Sequence, residues 1–193
     1  MLINDSYSVL YYQELNRTEA IQAMKLAETI VELFNPKTVT DLGCATGLYM
    51  ACLMSLGVKC RGIELSPNAL DDTVRIVDPS CITIADLRES VLFPDYSDVV
   101  LCLEVLEHIQ EEYADQAVRN IINAGNILIV SPSPHGGGEH HHNPKPKDYW
   151  MEKFKKHNYI ESEDKTKRIF DALSTVDHAT WIDNIYVLEK TND

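Results

Sequence analysis

The sequence predicts an α/β fold built on a doubly wound, mostly parallel sheet, and three observations carry that prediction. Short apolar strands alternate with helical segments along the 193 residues, the order that crossover helices impose on parallel strands. Residues 98–103 form an almost continuously apolar run, as expected of a strand covered on both faces. A strand at 38–42 runs into the turn Asp41-Leu42-Gly43-Cys44-Ala45-Thr46-Gly47, and the next strand ends in a carboxylate, Glu64.

In chain order, Ile21, Met24, Ala27, Ile30, Val31 and Phe34 recur at spacings of three and four, which predicts a first helix over 16–34. Asn35-Pro36 stops it. After the strand at 38–42, a helix over 49–56 ends at Gly57, where a left-handed residue closes a helix. The second strand, 59–64, leads into Ser66-Pro67, a serine cap with proline in the first turn of a further helix. Strands follow at 81–85 and 98–103, then a helix over 112–123 and a strand at 126–130. The stretch Ser131-Pro132-Ser133-Pro134-His135-Gly136-Gly137-Gly138 is irregular. A helix carrying Tyr149, Trp150 and Phe154, a helix over 168–173 and a strand over 181–188 complete the chain. No repeat or linker divides it, so 1–193 reads as one domain, with residues 1–18 and Tyr11-Tyr12 as an N-terminal lid.

Seventeen basic and thirty acidic residues give a net charge of −13, the wrong sign for a duplex-binding surface. The charge is uneven, because residues 140–168 hold eight basic and five acidic side chains. That segment reads as solvated helix faces or as a groove for an anionic substrate. The five cysteines form no Cys-x-x-Cys pair and read as core residues of a reducing compartment. No leader pattern and no membrane-length apolar run is evident, so a cytoplasmic protein is expected.

Gly43 and Gly47 let the backbone turn tightly and approach a ligand, and a carboxylate at Glu64 can accept ribose hydroxyls. A dinucleotide turn would read Gly-x-Gly-x-x-Gly, whereas Ala45 stands at the middle position, and no triphosphate-binding Gly-x-x-x-x-Gly-Lys-Ser/Thr occurs. Asp41-x-Gly43-x-x-x-Gly47 resembles motif I of the class I S-adenosylmethionine-dependent methyltransferases. The resemblance implies S-adenosyl-L-methionine as cofactor and a Rossmann-like sheet of seven strands, the last antiparallel. It also implies that Asp41, Gly43, Cys44, Ala45 and Gly47 hold the methionine end of the cofactor. Glu64 with Leu65 would meet the ribose, Asp86 with Leu87 the adenine, and Leu103 would complete the pocket from the fourth strand.

Glu104-Val105-Leu106-Glu107-His108 follows that strand, on the side where such enzymes face their substrate. The pattern looks like the metal-binding stretch of the small-RNA 3′-terminal 2′-O-methyltransferases and of the ubiquinone-pathway O-methyltransferases. Residues three and four apart on one helical turn share a face, which would let Glu104, Glu107 and His108 converge. His141, within Gly138-Glu139-His140-His141-His142-Asn143-Pro144, is the expected fourth ligand. His-x-Asn followed by Asp148-Tyr149-Trp150 also resembles a loop and helix of other class I methyltransferases, with His141 and Asn143 the informative pair. Together these residues suit a divalent metal ion. Without one, His108 or His141 could act as general base. Gly136 to Gly138 read as a phosphate cradle or a hinge.

For a hydroxyl acceptor the protein must align the nucleophile and remove a proton. No Asn/Asp-Pro-Pro-Tyr sequence follows the fourth strand, which favours oxygen over an exocyclic base nitrogen. The expected reaction is O-methylation of a small molecule, with a sugar or glycan among the acceptors. The alternatives are a terminal-ribose RNA methyltransferase and a non-catalytic cofactor-binding module.

Overall fold

The computed structural model describes residues 7–136, 140–176 and 181–191. Seven strands form one sheet: β1 Thr38–Leu42, β2 Lys59–Glu64, β3 Ile82–Ile84, β4 Ser97–Leu103, β5 Gly125–Ser131, β6 Tyr159–Glu161 and β7 Tyr186–Lys190. Their order is β3-β2-β1-β4-β5-β7-β6. The first five run parallel, and β7 lies antiparallel to both β5 and β6. Strand order reverses between β1 and β4, so a crevice opens beyond their carboxyl ends, where ligands of open α/β sheets bind.

Five helices cover the faces: α1 Val9–Phe34, α2 Leu48–Ser55, α3 Ala114–Ala124, α4 Lys147–Lys155 and α5 Glu163–Leu173. Alternation along β4 explains the layering. Val99 and Leu101 face the layer of α1, α2 and α5, packing with Leu26, Ile30, Leu53 and Ile169. Val100 and Cys102 face the layer of α3 and α4, with Ile121, Trp150 and Phe154. Both layers exclude water, which is why this strand reads as unbroken apolar sequence.

Several expected bounds move. Helix α1 starts at Val9 rather than at 16, because Ser8 Oγ accepts the Tyr11 amide at 3.2 Å and caps it earlier. Asn35 does end it, in the left-handed region at φ 43°. Ser66-Pro67 opens only one 3-10 turn, Pro67–Leu70, and the Ser66 side chain makes no cap bond. Strand β6, three residues long, was not expected. Helix α5 begins five residues before 168. The last strand is Tyr186–Lys190, since Trp181 leads instead into a 3-10 turn at Ile182–Asn184. Gly137 and Gly138 of the glycine run, and residues 1–6 of the expected lid, lie outside the described residues.

Gly57 adopts φ 88° with open space at its Cβ position. Gly57→Ala is therefore expected to cost about 1–2 kcal/mol through backbone strain alone, measurable by urea denaturation.

Six of the eight basic residues of the segment 140–168 are paired. Lys145, Lys147, Lys153, Lys165, Lys167 and Arg168 bridge to Glu111, Glu161, Asp115, Glu189, Asp171 and Glu32. That pairing matches solvated helix faces. Among the described residues, all five cysteines are free, and no helix is long and apolar enough to cross a membrane.

Candidate active site

The crevice holds a cavity of about 480 Å³ roofed by the N-terminal turns of α1. Of the expected cofactor residues, Asp41, Gly43, Cys44, Ala45, Glu64, Leu65, Asp86, Leu87 and Leu103 line it, and Gly47 does not. Gly47 stands at the head of α2 with φ 83°. A Cβ there would lie 2.5 Å from Val77 Cγ2, and one at Gly43 (φ 80°) only 2.4 Å from Val105 Cγ2. Glycine is thus required at both positions by backbone angle and by space.

The turn is stitched to β2, since the Gly43 and Cys44 amides both donate to the Ile63 carbonyl, at 2.8 and 3.1 Å. Ala45, itself left-handed at φ 46°, donates its amide to Glu64 Oε2 at 2.9 Å. The Leu65 and Ser66 amides donate to Glu64 Oε1 at 2.8 and 2.7 Å. A carboxylate offers about four lone-pair positions, so three amides orient Glu64 and leave capacity for about one more donor. Burial pushes its pKa up while those amides pull it down, and burial prevails. Asp41 is 4% exposed, and burial followed by the nearby Glu64 charge pushes it up to about 7. Asp86 is turned to Arg88, whose Nε lies 2.8 and 2.9 Å from its two oxygens. Burial opposes the charge, but the bonds to Arg88 hold Asp86 below the usual carboxylate range.

The opposite wall carries the acid and histidine residues. They do not share the helical turn expected of Glu104-x-x-Glu107-His108. Only Leu106–His108 form a 3-10 turn, and Glu104 sits before it in the left-handed region at φ 53°. Strain of this kind in a non-glycine residue collects at working sites. The Glu104 amide donates to the Ser131 carbonyl at 3.1 Å, and Ser131 Oγ donates to Glu104 Oε1 at 3.2 Å.

Glu107 is fully buried, and neither of its carboxylate oxygens has a hydrogen-bond partner. Ligand atoms of Glu107, His108 and His141 lie within 4.8 Å of one another, a group that does not include Glu104. The two histidine rings meet edge to face at 4.8 Å. His108 Nδ1 lies 3.2 Å from the His140 carbonyl and His141 Nδ1 2.6 Å from the His135 carbonyl. A carbonyl only accepts, so each Nδ1 carries the proton and each Nε2 keeps its lone pair. The Asn143 amide donates to the Glu107 carbonyl at 2.9 Å, tying the histidine loop to the turn. Burial lowers His108 to about 4, helped by His141, so its ring is neutral near pH 7. Burial raises both Glu104 and Glu107, and their mutual repulsion raises Glu107 further.

Residues not singled out from the sequence complete the cavity. Tyr7 presents its ring to those of His108 and His140 at 6.2 Å. Glu19, Tyr49 and Trp181 line the donor side. The serine cap ahead of Leu10-Tyr11-Tyr12 was the one available sign that α1 reaches this far.

Residues 40–128 match the family described as "Methyltransferase domain", and this stretch holds the glycine turn, Glu64, Asp86 and the Glu104–His108 segment. Over that stretch the chain is similar to the class I S-adenosylmethionine-dependent methyltransferases. The chain is 32% identical over 101 residues to a ubiquinone biosynthesis O-methyltransferase of Paraburkholderia xenovorans (strain LB400), covering 49% of this chain and 44% of that protein. It thus spans under half the length of that relative. Its fold is similar to that of magnesium protoporphyrin IX methyltransferase from Synechocystis PCC 6803, solved with bound SAH. The TM-score is 0.63 at 16% identity, over 90% of this chain and 84% of that one. It is also similar to the small RNA methyltransferase HEN1, with TM-score 0.57 and 16% identity over 87% of this chain and 25% of that one.

Proposed function

We propose that the chain transfers the methyl group of S-adenosylmethionine to a hydroxyl of a small molecule. The observation that carries the reading is the pairing, in one cavity, of an amide-held carboxylate at Glu64 with the buried and unbonded carboxylate of Glu107 beside His108 and His141. The first suits a ribose and the second an acceptor oxygen or the ion that holds it. The cavity volume falls within the range of small-molecule sites. The similarity to O-methyltransferases of ubiquinone biosynthesis supports oxygen as the nucleophile.

Glu107, His108 and His141 fit a divalent ion. They offer one carboxylate and two imidazoles, with each Nδ1–H anchored on a carbonyl as metal-binding histidines require. Such an ion would supply Lewis acidity that lowers the acceptor hydroxyl's pKa. Glu104, outside that group and raised by burial, takes the hydroxyl proton. The acceptor oxygen then forms its bond to the methyl carbon as the carbon–sulfur bond breaks, and sulfur keeps the electron pair as a thioether. The aromatic roof of Tyr7, Tyr11 and Tyr12 excludes water from that step and suits the face of a flat or sugar ring.

An acceptor panel with labelled donor tests this reading, using phenols, sugars, glycans and short RNAs with free ends, each with and without chelator. Transfer to a small hydroxylated molecule that chelator suppresses is the expected result. Transfer to RNA alone, or donor binding with no transfer to any class, would overturn it. The net charge of −13 and the paired basic segment count against RNA.

Asp41 gives a pH test. Its carboxylate must be ionised to meet the donor's ammonium, so affinity for adenosylhomocysteine should rise between about pH 6 and about pH 8. Calorimetry in the two buffers reads the effect, and Asp41→Asn should flatten it. Because the folded pKa is about 7 against 3.8 ordinarily, the folded chain binds a proton that the unfolded chain has released. Asp41's contribution to stability therefore declines as pH rises from 3.8 to about 7.

A further inference from the structure

We propose that Glu19, on α1, anchors the ammonium group of the donor's methionine portion together with Asp41, an inference that rests on the donor-binding reading above. Glu19 is the end of a directed chain of hydrogen bonds. Gln22 Nε2 donates to Tyr49 Oη at 3.1 Å, and Tyr49 Oη donates to Glu19 Oε2 at 2.9 Å. Gln22 is 2% exposed, and Trp181 sets its edge against the Tyr49 ring at 6.2 Å. The carboxylate is thereby fixed in direction, on the wall of the donor cavity.

Nothing among the described residues neutralises it. Among the described residues Glu19 has no lysine or arginine partner, and the carboxylate of Asp41, 4% exposed, enters no hydrogen bond or ion pair. Among the described residues, Arg88 is the only lysine or arginine lining the cavity, and it is engaged by Asp86. Tyr49 is close enough to both Glu19 and Asp41 for its hydroxyl to be affected by each charge. Two carboxylates withdrawn from water without a counter-charge are costly until a cation arrives. Glu19 lies outside the metal-type cluster, which leaves a cationic group of the ligand. The donor's ammonium is such a group, and a carboxylate bonding to it gains charge-assisted strength.

Calorimetry with two ligands tests the assignment. Adenosylhomocysteine carries the ammonium, whereas 5′-methylthioadenosine keeps the nucleoside and sulfur but lacks the amino acid. Glu19→Gln retains size and a hydrogen-bond acceptor for Tyr49, and should weaken adenosylhomocysteine about tenfold or more while leaving methylthioadenosine unchanged. Tyr49→Phe, which frees Glu19 to turn, should give a smaller loss with the same selectivity. Equal affinity of wild type and Glu19→Gln for adenosylhomocysteine would overturn the inference, as would equal losses for both ligands. If the wild-type chain binds neither ligand, the donor reading itself fails, an outcome separate from the first two.

Discussion

Glu104→Gln is expected to lower methyl transfer by about 100-fold or more, the usual contribution of a positioned acid or base, while donor affinity stays unchanged. The substitution keeps the shape of the side chain and can keep the bond from Ser131 Oγ. It removes the group that burial has made more basic than an ordinary carboxylate. Glu104 also stands in a left-handed conformation, and the bond from Ser131 Oγ directs its carboxylate. Single-turnover rates with a transferable acceptor, set beside adenosylhomocysteine affinity, separate chemistry from binding. A variant that turns over at the wild-type rate would remove Glu104 from the reaction and leave the proton to a histidine.

Glu64→Ala should reduce adenosylhomocysteine affinity by about 10- to 100-fold, the loss of one hydrogen bond to a charged group. It should also cost about 1–3 kcal/mol of stability, because the amides of Ala45, Leu65 and Ser66 lose their common acceptor. Calorimetry and urea denaturation read the two effects independently. A stability loss with unaltered affinity would make Glu64 a brace for the turn and not a ligand for ribose.

The sheet was largely legible because its strands obey local rules. β1 and β2 have the bounds expected from their apolar runs and the glycines beside them. The turn at Gly43 was legible for the same reason, since backbone angles leave few residue choices there. Elements whose reason is distant were harder to read. The first turns of α1 carry Leu10, Tyr11 and Tyr12 on no single apolar stripe, because two of these side chains serve the cavity and Leu10 is exposed. β6 is only three residues long and exists by pairing with β7. Glu19 looks like any surface acid of a helix until Tyr49, thirty residues later, is seen to bond to it. The group of Glu107, His108 and His141 was half legible, because Glu-His adjacency is local while the approach of His141 depends on how the loop after β5 folds back. Glu104 was placed with them on helical spacing, and the chain there is not helical.

Val105 links the two walls of the crevice. Its side chain fills the space that a Gly43 side chain would need, and it sits between Glu104 and the short turn bearing Glu107 and His108. Two loops that would otherwise move independently therefore touch without slack. A shift of the donor turn by a fraction of an ångström must be passed to the neighbouring acid, so the methyl source would set the geometry of its own recipient's wall before that recipient enters. On the proposed reading, ordered addition with the donor leading is the expected kinetic pattern, and product-inhibition kinetics would show it.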